Sequence, residues 1–157
     1  MSDTAAGETP LTCAAYCGHF DAVRALVEAG GADVNLTRED GTTPLNLAAY
    51  ADAKTALFLL DSGAKPDTNT NKNSPFPVPL VMSAARGDVE LCARLIQAGS
   101  HPDELHPTEG FAPLHAAVSS EASRTEVIKL LLAAGADVNL LRNANPIWSP
   151  LMYAATR

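Results

Sequence analysis

The chain has 157 residues, 46% of them apolar but only 5% aromatic, and 11 Lys and Arg against 18 Asp and Glu give a net charge of −7. That length suits one domain, with a core built from Ala and Leu rather than from large aromatic clusters. The basic residues are scattered from Arg24 to Arg157 and form no stripe that could neutralise phosphates and release counterions, so neither nucleic acid nor an anionic membrane surface is an expected partner.

Residues 1–6 read as a polar lead. Met1 to Glu8 lacks the apolar core of a signal peptide, and no stretch approaches the roughly 20 apolar residues of a membrane span. Cys13, Cys17 and Cys92 are an odd and sparse set that suits a reducing compartment. The expected location is cytoplasmic or nuclear.

The first helix opens at Thr9-Pro10-Leu11. A hydroxyl before Pro can accept a hydrogen bond from a first-turn N–H, and Pro at the first helical position gives up a donor that had no partner. The phrase returns at Thr43-Pro44-Leu45, Val78-Pro79-Leu80, Ala112-Pro113-Leu114 and Ser149-Pro150-Leu151. The prolines are 34, 35, 34 and 37 residues apart, near the roughly 33-residue period of stacked helix-turn-helix units. Val78 and Ala112 cannot cap, which predicts differently anchored starts for the third and fourth units. Small pairs follow each phrase, as in Ala14-Ala15, Ala48-Ala49, Ala84-Ala85, Ala116-Ala117 and Ala154-Ala155, and let short helices approach closely.

A second, more apolar helix follows in each complete unit. Val23, Leu26 and Val27, then Leu91, Leu95 and Ile96, then Val127, Ile128, Leu130 and Leu131 recur at helical spacing. Gly30, Gly63, Gly99 or Gly135 is expected to end each one, because glycine reaches the left-handed conformation without a Cβ penalty. In the second unit, Tyr50-Ala51-Asp52-Ala53 crosses the inter-helix turn one residue short. Thr68 to Val78, rich in Asn and Pro, is about three residues longer than a standard connection and predicts an irregular finger. Ser119 to Arg124 and Arg142 to Ile147 also lengthen connections.

Thr-Pro-Leu, Ala-Ala, Gly18-His19 and Gly31-Ala32-Asp33-Val34-Asn35 in register, echoed by Pro113-Leu114-His115 and Gly135-Ala136-Asp137-Val138-Asn139, resemble an ankyrin-repeat protein. The resemblance implies an all-α solenoid of stacked helix-turn-helix pairs with extended loop tips. It covers residues 7–157, with repeats at about 7–35, 36–67, 76–103, 110–139 and a partial unit at 140–157. A solenoid buries its faces only between neighbours. The partial unit therefore leaves Leu151, Met152 and Ala155 to be covered by further repeats or by a partner that caps this end.

The resemblance also implies a concave partner-binding face. On this chain the loop tips carry Glu8, Thr42, Pro77, Phe111 and Trp148. The first helices contribute Tyr16, Cys17, Tyr50, Ala51, Ala85, Arg86, Ser119 and Ser120. Aromatic residues and Arg often dominate binding energy, though the same rings can equally pack within the stack. A non-enzymatic module for a protein or peptide is expected, with Glu39-Asp40 and Asp103-Glu104 steering toward a basic partner.

Two other roles stay open. Asn139, eight residues after Leu131, resembles the site that asparaginyl hydroxylases modify in ankyrin repeats, and Asn35 after Val27 is a weaker copy. The chain could also be the recognition or regulatory arm of a larger enzyme such as a ubiquitin-ligase adaptor. Enzyme chemistry within the segment itself is not expected. It has no phosphate-binding glycine loop, nucleophile elbow or metal-binding helix motif, and no cofactor is called for. Cys13, Cys17 and His19 offer three soft ligands for zinc, but the resemblance gives Cys13 the place of a buried aliphatic and no fourth ligand is near. His115 occupies the family's usual position, where the resemblance implies hydrogen bonding to backbone between adjacent loops.

Overall fold

The computed structural model describes residues 7–66, 76, 78–106, 109–119 and 124–141. Among these residues there are eight α-helices and no strands: α1 (Pro10–Tyr16), α2 (Phe20–Glu28), α3 (Pro44–Ala51), α4 (Ala53–Asp61), α5 (Pro79–Arg86), α6 (Val89–Gln97), α7 (Pro113–Ser119) and α8 (Arg124–Ala133). The odd-numbered helices pack side by side as one row and the even-numbered helices as a second. Each odd helix also packs on the even helix that follows it, which makes a two-layer stack of helix pairs.

The small pairs make the first row close-packed. Ala15, Ala48, Ala49, Ser83, Ala84, Ala116 and Ala117 are all buried between neighbours. Leu45, Leu59, Leu80, Leu91, Leu95 and Leu131, fully buried, fill the space between the rows with Val23 and Val127. A buried Leu is worth about 1.5–3 kcal/mol relative to exposure. These contacts between pairs therefore far outweigh the intrinsic stability of helices of seven to ten residues, which are too short to persist alone.

Helix starts follow the expected chemistry and extend it. Thr9 Oγ1 accepts the Thr12 N–H at 3.1 Å, while Thr12 Oγ1 reaches back to accept the Thr9 N–H at 2.8 Å. Thr43 and Asn46 repeat this exchange at 3.0 and 2.9 Å, so each residue satisfies one of the other's orphan donors. Val78 makes no side-chain cap for α5. At the start of α7, His115 Nδ1 accepts the Ala112 N–H at 3.2 Å, so the third residue of the helix supplies one half of the cap that Ala112 cannot.

The helix ends correct one expectation. After α4, α6 and α8 the left-handed residues are Gly63, Gly99 and Gly135, with φ of 90°, 104° and 94°. The next N–H then bonds the carbonyl five residues back, as in Ala64 to Leu59 at 2.9 Å. After α2 it is Gly31, not Gly30, that takes a positive φ, of 62°. The closing bond there runs from the Ala32 N–H to Leu26 O at 3.0 Å, one residue longer. The second glycine is absorbed as an extra residue in the turn.

Of the finger at Thr68 to Val78, only Phe76 and Val78 are described. The lengthened segment after Ser119 separates α7 from α8, and its residues 120–123 are outside the described residues, as are Arg142 to Ile147 and, in the partial unit, Ser149, Leu151, Met152 and Ala155. No described helix is long and apolar enough to cross a membrane.

Candidate functional site

The last turns of the first-row helices carry positions that differ from repeat to repeat. Six residues after each opening proline stand Tyr16, Tyr50, Ala85 and Ser119. Neighbouring repeats bring the two tyrosines together, with rings nearly parallel and centroids 6.3 Å apart. Phe76 joins them from the connection between α4 and α5, edge-on to Tyr16 at 5.8 Å and to Tyr50 at 5.7 Å. Tyr16 is 51% and Tyr50 45% exposed even so. Three rings drawn from separate parts of the chain thus form a semi-exposed aromatic patch on the first-helix face.

Beside the patch lies Arg86. Its guanidinium donates to Ala49 O at 3.1 Å and to Tyr50 O, two carbonyls at the C-terminal end of α3 that the helix itself leaves without partners. A cation there also complements the helix dipole. Arg86 is exposed, yet its donors are engaged across the repeat boundary, so it ties α5 to α3 as well as bordering the patch.

The loop tips are less open than expected. Thr42 is fully buried, which removes it from the set of partner-contacting side chains. The tight turn is the cause: the Arg38 N–H donates to Thr42 O at 2.9 Å and the Thr42 N–H to Asp40 Oδ1 at 2.8 Å, folding the residue inward. Phe111 is half-buried against His106, ring centroids 4.8 Å apart, in a similar turn closed by the His106 N–H to Phe111 O at 2.8 Å. Its ring packs within the stack. Glu8, exposed, lies 3.9 Å from Arg38 of the next tip. Ser119 is half-buried and donates to Ala116 O at 2.8 Å. Ala51 is half-buried and Ala85 exposed. Trp148, Pro77 and Ser120 lie outside the described residues.

Cys13 and Cys17 are both exposed. The resemblance gives Cys13 the place of a buried aliphatic; instead it is exposed on α1, where what burial it has, and then the Glu8 carboxylate, raise its thiol pKa. A thiol held protonated is a poor metal ligand. Among the described residues, no three His, Cys, Asp or Glu side chains converge to hold a metal. Asn35 bridges repeats: its Nδ2 donates to Gly63 O at 3.1 Å and its Oδ1 accepts the Lys65 N–H at 2.8 Å. Asn139 is exposed, with its N–H on Asp137 Oδ1 at 2.8 Å.

Sequence reasoning missed Phe76. Its one signal was an aromatic residue between Pro75 and Pro77 inside an otherwise polar connection. The chain's remaining described aromatics, Phe20 and Phe58, meet edge-on at 5.7 Å in the second row, and the Lys54 ammonium sits 3.8 Å from the Phe20 centroid. That pair already has its cation.

Comparison with known proteins agrees with the helix-pair stack. The family model described as ankyrin repeats (3 copies) matches residues 1–70 and 80–157. Similar proteins include glycerophosphocholine phosphodiesterase gde1 of Schizosaccharomyces pombe, 38% identical over 114 residues, 72% of this chain and 10% of that protein. Ankyrin repeat protein nuc-2 of Neurospora crassa is 29% identical over 151 residues, 96% of this chain and 14% of that one. SH3 and multiple ankyrin repeat domains protein 2 of Homo sapiens is 38% identical over 95 residues, 60% of this chain and 5% of that one. The chain thus spans only a small fraction of each relative's length. With recurring caps, paired helices in two rows and a family match over most of its residues, the chain belongs to the ankyrin-repeat family.

Proposed function

We propose that this chain is a non-enzymatic protein-interaction module that binds a partner protein or peptide through its first-helix face. Ankyrin repeats generally mediate protein–protein contact, and the observation that supports this particular face is the aromatic patch. A folded chain with little aromatic content leaves Tyr16 and Tyr50 about half exposed, side by side on adjacent repeats. Large rings with polar tips supply contact area at low entropic cost and are common anchors. Glu8, Glu39 and Asp40 near the tips, with a net charge of −7, favour the approach of a basic partner. The test is retention of partner proteins by the intact chain beside Tyr16→Ala and Tyr50→Ala, with melting curves alongside. Loss of the same partner from both folded variants supports the reading, and unchanged retention rejects it.

A second reading has its own support. The relative gde1 is named as a phosphodiesterase, and the similar segment is 10% of that protein; the same arrangement here would make the repeats the recognition or regulatory arm of a larger enzyme. Comparing the activity of the full-length gene product with and without residues 7–157 distinguishes the two.

A further inference from the structure

Phe76 contributes one of the three rings of the patch, yet it comes from the stretch between α4 and α5 and not from the helices that hold the tyrosines. We propose that the Tyr16–Tyr50 pair is a subsite for an aromatic side chain on an extended, proline-flanked peptide, and that Phe76 holds this subsite as an internal ligand that such a peptide replaces. The proposal rests on the reading of this face as the interaction surface and adds the chemical class of the partner.

Three observations carry it. Phe76 stands at 75° and 74° to the two tyrosine planes, the edge-to-face arrangement aromatic rings prefer, so the pair already accepts a phenyl group. The contact is only partly covered: Phe76 is half-buried at the edge of the core and both tyrosines remain about half exposed, so a competing ring can reach the pair from solvent. In sequence the residue sits in Pro75-Phe76-Pro77-Val78-Pro79, and Val78 has φ −60° and ψ 145°, the polyproline conformation. Proline-rich segments of this kind dock on aromatic-lined surfaces because little entropy is lost on binding. Beyond the tyrosines, the equivalent positions Ala85 and Ser119 carry small side chains.

The probe is a capped Ser-Pro-Phe-Pro-Val peptide, titrated calorimetrically into the intact chain, Phe76→Ala, and Phe76→Ala combined with Tyr50→Ala. If Phe76 fills the subsite in about nine molecules of ten, removing it raises apparent affinity about tenfold. Adding Tyr50→Ala then removes the gain, and a peptide with Ala in place of Phe does not bind. A cooperatively melting Phe76→Ala that binds no better than the parent, or that binds both peptides alike, overturns the proposal. Should Phe76→Ala melt without cooperativity, Phe76→Leu keeps apolar bulk while removing the ring, and an affinity no higher than the parent's overturns the proposal equally. If the peptide result fails while Tyr16→Ala and Tyr50→Ala still release the natural partner, the self-ligand inference falls and the interaction surface stands. If those tyrosine variants leave the natural partner bound, the surface reading itself falls.

Discussion

Asp52 closes α3 and opens α4 with one residue. Its carboxylate accepts the Thr55 N–H at 2.9 Å and the Thr55 hydroxyl at 2.8 Å. Partial burial pulls its pKa upward, but the hydrogen bonds from Thr55 and the Lys54 backbone outweigh this and hold it below the usual 3.8. A depressed carboxylate stabilises the fold above its unfolded pKa, and that stability is lost as pH falls through the lower folded value. Asp52→Ala should cost about 1 kcal/mol at neutral pH, and urea titrations should show the difference from the parent shrinking below about pH 4. Cys92 behaves in the opposite sense. Buried, and donating to Ser83 Oγ at 3.1 Å, its thiol is pushed up to about 11 by desolvation. Stability from the neutral thiol is intact below the unfolded value of 9.0 and declines as pH rises toward 11, by up to about 1.4 kcal/mol per pH unit. Cys92→Ala should flatten that part of the alkaline slope, and an identical slope in both proteins would contradict it.

At the scale of the helix, start and stop chemistry decides how legible the chain was. Thr9 and Thr43 declared their helices because a hydroxyl before Pro has one economical use, and the structure shows it. The reciprocal partners Thr12 and Asn46 carried no such signal, and His115 was expected only to bond backbone between adjacent loops. Their common role, accepting the N–H at the helix start, depends on geometry that letters do not encode. Gly30 and Gly31 show the same limit, since either could have been the left-handed residue. Gly31→Ala should cost about 1 kcal/mol through positive-φ strain alone, with nothing within 4 Å of the added methyl. Gly30→Ala should cost more, because its Cβ would meet Leu26 O at 2.6 Å and the backbone must move. Denaturant titration of both variants checks the order; Gly31→Ala as the more damaging would show the turn is built the other way round.

For the molecule as a whole, the stack was readable because a period of small and apolar residues permits only neighbours packed on neighbours. The surface was less so. Tyr16 and Tyr50 hold matching positions on α1 and α3, and they meet, since adjacent repeats repeat one geometry. Thr42 was misplaced because a tip turn with an Asp two residues upstream folds its third side chain inward. Phe76 was missed because its ring reaches the patch from outside the helices whose spacing the sequence displays. The account turns on the tyrosine patch as the place of contact. Calorimetric titration of the retained partner into the parent, Tyr16→Ala and Tyr50→Ala should show each substitution weakening binding by about 1–4 kcal/mol, with melting temperatures close to the parent's. Equal affinities in all three folded proteins would contradict it.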